Sequence, residues 1–535
     1  MNDAAAHRTM QSLKPVCMLI VGAGLAIFTV HALSRQLWAD ELLTMALVQA
    51  QSLPRLWTGI VSGIDGNPPL YLTLAWLISH AAPAALPTVA VLKTANLVIT
   101  IAAMVILYRI SLRVVSATAA WIGMFLLLAL SNNISIVAFE LRTYALYLLL
   151  AATAIWLQQR LIERCRTLDA VLLALACAAL VLSHTFGIVY VGCIALAGWL
   201  SQCSGRRDTQ TAILTTAPAI LVLACWMPFF LQQSAVGRPY LWITSPTVAE
   251  LLLVVFASPF AMNVAIVEMC CLATAAVVFA RQAGIAGFRS ALSGSEAQPR
   301  RFLLLVVLGF TAIMLVAWLA SLLLFPLFVA RYFTPQLIVS LALHVAFCEL
   351  AVRVARNTPQ LRTPIIAGCA IAVPAFLSVA LLANRPEHRP APCMDASGAA
   401  FEEAFVKGDL PVITESPHLF LPRATYAAHA ASYRFALDWD VVMNYPHRSP
   451  GNATEYNVLE NLRAWADNSS ANKTSIMQTD DILKYPQFLA IEQSGWAWFH
   501  NLRNTRDLTA EKLADVTGGG HSCTLWKVTG VKPRR

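Results

Sequence analysis

Apolar runs long enough to cross a bilayer dominate the first 384 residues, and they leave the chain few folds to choose from. A hydrocarbon core about 30 Å thick takes roughly 20 apolar residues in helix. Only helices and closed barrels satisfy their own backbone polar groups there. The runs are Pro15–Leu33, Val89–Tyr108, Ala117–Leu130, Thr143–Leu157, Leu168–His184, Gly187–Leu200, Thr211–Leu231, Met262–Ala280, Phe302–Phe325, Pro335–Val352 and Pro364–Ala383. One further stretch, Pro68–Ala82, is shorter and opens on a Pro-Pro pair. Charged residues make up 13% of the chain, about half of what an ordinary soluble domain carries. That is too few to cover a soluble surface, so the sequence reads as an α-helical polytopic membrane protein.

The few charges report orientation. Residues 1–384 hold 22 Lys+Arg against 12 Asp+Glu, and residues 385–535 hold 16 against 17. The basic excess therefore belongs to the membrane part, where it anchors cytoplasmic loops. A nucleic-acid partner would need a basic patch on a soluble surface and is not expected. With Pro68–Ala82 lying in the interface, Arg8, Lys14, Arg109, Arg113, Arg160, Arg164, Arg166, Arg206 and Arg207 fall on one side. The 281–301 loop and Arg353, Arg356 and Arg362 join them there. The alternation fails if Pro68–Ala82 spans. The expectation is eleven spans plus juxtamembrane helices, a cytoplasmic N-terminus, and an exported C-terminal domain. Ala32-Leu33-Ser34 would also suit signal-peptide cleavage, but the first apolar run is long for that role.

Two domains follow: a membrane module, 1–384, and a small exported α/β domain, 385–535. In the latter Pro411–Thr414, Asp440–Tyr445, Phe488–Glu492 and Thr524–Val528 read as strands. Ala399–Val406, Ala424–Tyr433 and Glu455–Asp467 read as helices. Of twelve cysteines only Cys393 and Cys523 fall in this domain, one near each end. Export permits them to pair, and two free thiols are the alternative.

Acids are scarce enough in the membrane module to be weighed singly. The first external loop reads Trp38-Ala39-Asp40-Glu41-Leu42-Leu43-Thr44. Such a pair caps a helix, or supplies a general base where partial desolvation lifts a carboxylate pKa. Then come Asp65-Gly66-Asn67-Pro68-Pro69-Leu70-Tyr71, Phe139-Glu140-Leu141-Arg142-Thr143-Tyr144, Ser183-His184-Thr185-Phe186, and Pro326-Leu327-Phe328-Val329-Ala330-Arg331-Tyr332. Taken alone, each suits a surface ion pair or an interfacial anchor.

Their order along residues 35–336 resembles the bacterial relatives of protein O-mannosyltransferases. That group includes the aminoarabinose transferases acting on lipid A, within the GT-C glycosyltransferase superfamily. The resemblance implies a bacterial inner-membrane transferase that inverts at the anomeric carbon. Its donor would be a sugar on a polyprenyl phosphate, and its acceptor an envelope glycan, lipid or protein. It implies Asp40 as base with Glu41 in support. Glu140, His184 and Asn67 would place the acceptor, with a divalent metal on Glu140 and His184 left open. Arg142 and Arg331 would hold the lipid phosphate with Tyr144 and Tyr332 beside them, since negative charge grows on the leaving phosphate. Eukaryotic members have a His before the two prolines and Gly-Lys after them. Here Asn67 and Leu70-Tyr71 stand instead, and Lys93 replaces that cation only in part. A secondary transporter and a non-catalytic envelope assembly protein are the alternatives.

Overall fold

The computed structural model describes residues 26, 29–30, 33–202, 206–237, 245–256, 266–274, 277, 298–324, 326–357, 404–444, 452–466, 475–518 and 521–533. The chain divides into two compact units. The first comprises Met1–Arg35, Ala81–Cys225 and Ser245–Pro386; the second comprises Gln36–His80, Trp226–Thr244 and Glu387–Arg535.

The first unit is helical. Its central helix, Tyr144–Arg164, touches helices Thr88–Ser111, Thr167–Ser183 and Gly187–Ser201. Tyr147, Leu148, Ala151, Ala152, Ala154 and Ile155 on it are fully buried. Small side chains let neighbouring helices approach closely, where lipid offers no hydrophobic drive to hold them together. Gly123 on helix Ala117–Leu130 is one such position. A Cβ there would stand 2.8 Å from the backbone nitrogen of Val345 on helix Leu337–Asn357. The outward faces are apolar as well, with Val98, Ile101, Leu214, Leu221, Leu308 and Val316 all more than half exposed. Faces that apolar suit lipid and not water.

Five helices among the described residues are long and apolar enough to cross a membrane: Thr88–Ser111, Tyr144–Arg164, Gln210–Gln233, Gln298–Leu323 and Ala330–Arg353. Helices Ala117–Leu130, Thr167–Ser183 and Gly187–Ser201 are apolar but shorter. Of the eleven expected spans, Pro15–Leu33 and Met262–Ala280 are described only in part, and Pro364–Ala383 lies outside the described residues. Pro68–Ala82 yields a helix of 12 residues, Leu70–Ala81. At 1.5 Å per residue it is about 18 Å long, too short to cross.

The second unit contains a six-stranded sheet of β1 (Val412–Thr414), β2 (Tyr433–Leu437), β3 (Ile476–Gln478), β4 (Phe488–Gln493), β5 (Arg506–Gly518) and β6 (His521–Pro533). The order is β3-β2-β1-β4-β6-β5. β1 is parallel to β2 and β4, β2 is parallel to β3, and β6 runs antiparallel to β4 and β5. The central parallel strands are buried on both faces, as helix-covered strands must be: all three residues of β1 and Phe488 to Ile491 of β4 are buried. Two expectations for this region need correction. Asp440–Asn444, the described part of the strand expected at Asp440–Tyr445, is helical: Trp439–Asn444 is a helix, because the Asp438 carboxylate accepts the Val441 N–H at 3.1 Å and caps it. The helix expected at Ala424–Tyr433 lies at Pro417–Tyr426, and Tyr433 instead opens β2. Most of Ala399–Val406 lies outside the described residues. Cys523 is disulfide-bonded; Cys393 lies outside the described residues.

The loop segment Gln36–His80 packs within this second unit. The Leu37 N–H donates to the Tyr426 hydroxyl at 3.1 Å, and Asn461 Nδ2 donates to the Ser62 carbonyl at 2.6 Å. Arg55 and Trp465 embrace: the guanidinium donates to the Trp465 carbonyl and lies 5.0 Å from the indole centroid. The indole N–H returns a bond to the Arg55 carbonyl at 2.9 Å.

Candidate active site

In the second unit, the Asp-Glu pair opens helix Ala39–Val48. The two carboxylates have different surroundings. Glu41 is fully buried and accepts the Trp38 N–H at 3.0 Å, closing the helix start from within. Asp40 is only half-buried, in the first turn, where the helix dipole favours negative charge. Glu41 therefore positions the turn and Asp40 is the more accessible carboxylate. Asn67 is held by Asp65, whose Oδ1 accepts both its backbone N–H (3.0 Å) and its amide N–H (2.7 Å). That Asx turn sets the entry to helix Leu70–Ala81. Asp65, at 5% exposure, is the residue sequence reasoning passed over here.

The first unit gathers three segments lying far apart in the chain. Glu140 and Arg142 occupy the turn between helices Asn132–Phe139 and Tyr144–Arg164, with the Arg142 N–H on the Glu140 carbonyl at 2.8 Å. Asn96 Nδ2 also donates to that carbonyl, at 2.5 Å. The neighbouring Thr143 hydroxyl donates to the Ser183 carbonyl at 2.7 Å, joining this turn to the end of helix Thr167–Ser183. His184 follows directly. Its imidazole stacks on Tyr147 at 4.8 Å and meets Tyr332 at 5.3 Å. Tyr332 sits with Arg331 in the 3-10 turn Ala330–Gln336. Phe333, packed between Phe186 at 5.6 Å and Phe328 at 4.9 Å, seats that turn. Arg142 and Arg331 both act electrostatically on Tyr144 and on His184, so the two guanidinium groups share one locality. Arg142 is 9% exposed. The cluster thus holds two cations and one carboxylate among buried phenol and imidazole groups, an arrangement suited to a bound anion.

Lys93 is fully buried, and its ammonium donates to the carbonyls of Arg35 (2.7 Å) and Leu33 (3.3 Å). Its charge is applied to the chain entering the first loop. Two further residues belong to this locality and were missed from sequence. Tyr147 is fully buried, and its hydroxyl has no hydrogen-bond partner among the described residues. Its signal was its place three residues after Tyr144, on the same helix face. Gly187 is the other: its N–H donates to the His184 carbonyl at 2.7 Å, and a Cβ there would run into the Leu180 carbonyl.

A divalent metal does not fit His184. Its Nδ1 accepts the Phe186 N–H at 3.2 Å, which places the proton of the neutral ring on Nε2 and leaves neither nitrogen offering a lone pair. Among the described residues no three His, Cys, Asp or Glu side chains gather as a metal site.

No protein-family model and no curated protein sequence matches the chain. Solved structures do match. The crystal structure of ArnT from Cupriavidus metallidurans bound to undecaprenyl phosphate superposes with a TM-score of 0.52 at 13% identity, over 95% of this chain and 97% of that one. The apo structure of the same protein gives 0.51 at 12% identity, over 96% and 98%. The apo oligosaccharyltransferase of Archaeoglobus fulgidus gives 0.44 at 13% identity, over 88% and 69%. The likeness to ArnT runs nearly end to end in both chains and is a likeness of fold: this chain shares the fold of ArnT.

Proposed function

We propose that the protein is an integral-membrane inverting glycosyltransferase. It moves a sugar from a polyprenyl-phosphate donor to an acceptor at the external face of a bacterial inner membrane. The observation that carries this reading is the convergence of Arg142 and Arg331 with Tyr144, His184 and Tyr332. ArnT, whose fold this chain shares, has been crystallised with undecaprenyl phosphate. In the proposed reaction the acceptor oxygen forms a bond to the anomeric carbon as the bond from that carbon to the phosphate oxygen breaks. The electron pair leaves on the lipid phosphate, where the two guanidinium groups stabilise it. The acceptor hydroxyl proton goes to the carboxylate of Asp40. Glu41 keeps Asp40 in place, while Glu140 and Asn67 orient the acceptor. An acceptor phosphate would already be ionised near neutral pH and would need no base.

The test is mass analysis of envelope glycans, lipids and glycoproteins from cells carrying wild-type protein, Asp40→Asn or the double Arg142→Ala/Arg331→Ala variant. Wild type should add one sugar mass that the double variant loses at equal membrane abundance. Asp40→Asn should lose it too when the acceptor is a hydroxyl. Identical mass profiles for wild type and double variant, also under overexpression, would refute the reading. A secondary transporter would use ionisable pairs inside the bundle; buried Glu268 and His344, 3.8 Å apart, are such a pair. Loss of the sugar mass in the arginine variant and its retention in Glu268→Gln separates the two readings.

A further inference from the structure

The second unit contains a concavity that the proposed transfer does not use. It opens at the carboxyl ends of β2 and β3 and has a volume of about 350 Å³, at the lower end of the ~300–1,000 Å³ that small-molecule sites occupy. In an open parallel sheet, ligands seat at this edge, most often where the strand order reverses. Here the reversal falls between β1 and β4, and the chain closes that crevice itself. Glu415, directly after β1, is buried, and its carboxyl oxygens accept the N–H groups of Gln493 (2.8 Å) and Phe499 (3.1 Å). The open space lies beyond the next strand, over Asp438 and Thr479.

We propose that this pocket is a carbohydrate site that seats one neutral pyranose residue of a glycan. Its floor is rigid. Trp498 is 2% exposed and its indole N–H donates to the Thr479 hydroxyl at 2.8 Å; that hydroxyl donates to Asp438 Oδ2 at 2.6 Å. Its wall is Trp439, half-buried, with its indole N–H fixed on Glu460 at 2.9 Å and its ring in a T-shaped pair with Tyr456 at 6.1 Å. An indole held this way offers an apolar plane at no further ordering cost, which suits the C–H face of a pyranose. Asp440 and Asp480, both exposed, and Asn501 complete the lining with groups that bond hydroxyls.

The same lining rules out other ligands. Carboxylates at Asp438, Asp440 and Asp480 repel phosphates and sulfates, with Arg506 the one cation in the lining. A purely apolar ligand would strip water from those carboxylates without replacing its hydrogen bonds. No set of three potential metal ligands gathers among the described residues. A neutral polyol satisfies both the indoles and the acids. The proposal does not depend on the transferase reading, since a bound glycan is detectable without turnover.

Saturation-transfer difference NMR on the full-length protein in nanodiscs tests it, with glucose, galactose, mannose, N-acetylglucosamine and a neutral gluco-oligosaccharide as probes. At least one should receive saturation from the wild type, and the oligosaccharide arm separates a glycan chain from a free sugar. Binding should weaken about tenfold in Trp439→Ala, a loss of ~1.4 kcal/mol. It should weaken similarly in Asp480→Asn, persist in Trp439→Phe and be unchanged in Asp40→Asn. Asp440 and Asp480 are exposed, so their Asn variants decide the matter if Trp439→Ala does not fold. The proposal is overturned if no probe is saturated or if binding survives Trp439→Ala and Asp480→Asn. It is equally overturned if binding vanishes in Asp40→Asn, or if it requires added calcium.

Discussion

Replacing Trp465 by Ala should release the first loop from the second unit without unfolding the sheet. The indole makes three separable contributions. Its N–H bond to the Arg55 carbonyl, at 2.9 Å, is worth ~1 kcal/mol. The guanidinium of Arg55, 5.0 Å from the ring centroid, adds ~0.5–1 kcal/mol. The ring also lies against Gly59, where a Cβ would meet it at 3.0 Å, and losing that partly buried contact costs about 1–2 kcal/mol. The bond from Arg55 to the Trp465 carbonyl survives, because alanine keeps its backbone. The sum is roughly 3 kcal/mol, so openings of residues 52–62 should become about a hundredfold more frequent. Hydrogen exchange with mass spectrometry reads this directly. Peptides over 52–62 should lose protection while those over β1, β2 and β4 keep theirs. Unchanged protection at 52–62, or equal loss across the sheet, would refute the reasoning. By the proposed function the same variant should also lower transfer, since the segment carries Asp40.

Three further outcomes follow from particular contacts. By the proposed function Arg142→Lys should weaken donor binding more than tenfold, because an ammonium cannot form the planar fork with which a guanidinium would grip phosphate; undecaprenyl phosphate binding by calorimetry measures it. Gly123→Leu should lower membrane abundance severely, since a Cβ 2.8 Å from the Val345 backbone parts two helices, whereas Gly192→Ala, with open space around it, should be silent; quantitative immunoblotting separates the two. Burial lifts the Glu415 carboxyl from 4.5 to about 8 despite the N–H groups it accepts. An acid raised in this way keeps, when folded, a proton that the unfolded chain releases. Its stabilisation is complete below about pH 4.5 and drains away as pH rises toward 8, by at most ~1.4 kcal/mol per pH unit. Thermal melting between pH 5 and 8 should show that decline, and Glu415→Gln should flatten it.

The cluster proposed to hold the lipid phosphate was legible in sequence because its parts stand at the ends of apolar runs. A charge beside a span cannot sink into lipid, so Glu140, Arg142, His184 and Arg331 had to lie at turns, and turns on one face of a bundle can meet. What the runs do not encode is packing across them. The close approach at Gly187 and the stacking of Tyr147 on His184 depend on which helix lies beside which. The misread stretch has a local cause of another kind. Val441-Val442 favours strand by composition, but Asp438 offers a cap just ahead, and one side-chain bond at 3.1 Å turns the segment into helix.

The attachment of the first loop to the second unit was beyond sequence reasoning for a deeper reason. Three of its hydrogen bonds join residues 389, 399 and 410 positions apart, and each runs between a side chain and a backbone group. A backbone carbonyl or N–H is the same at every residue, so half of each contact leaves no mark in the sequence. Arg55, Trp465 and Asn461, taken singly, read as an interfacial arginine and two surface residues. Hydropathy assigns Gln36–His80 to the membrane part because the segment follows an apolar run, whereas packing assigns it to the sheet-containing unit. The difference has a functional edge. Asp40 is carried by a helix that touches helix Pro417–Tyr426, so substitutions far down the chain, at Tyr426 or Trp465, act on the proposed base. Tyr426→Phe tests that on its own: it deletes only the hydroxyl that accepts the Leu37 N–H, a loss of ~1 kcal/mol. Faster exchange at residues 37–48 is the expected result; exchange matching the wild type there would mean that the Tyr426 hydroxyl does not hold the segment that carries the proposed base.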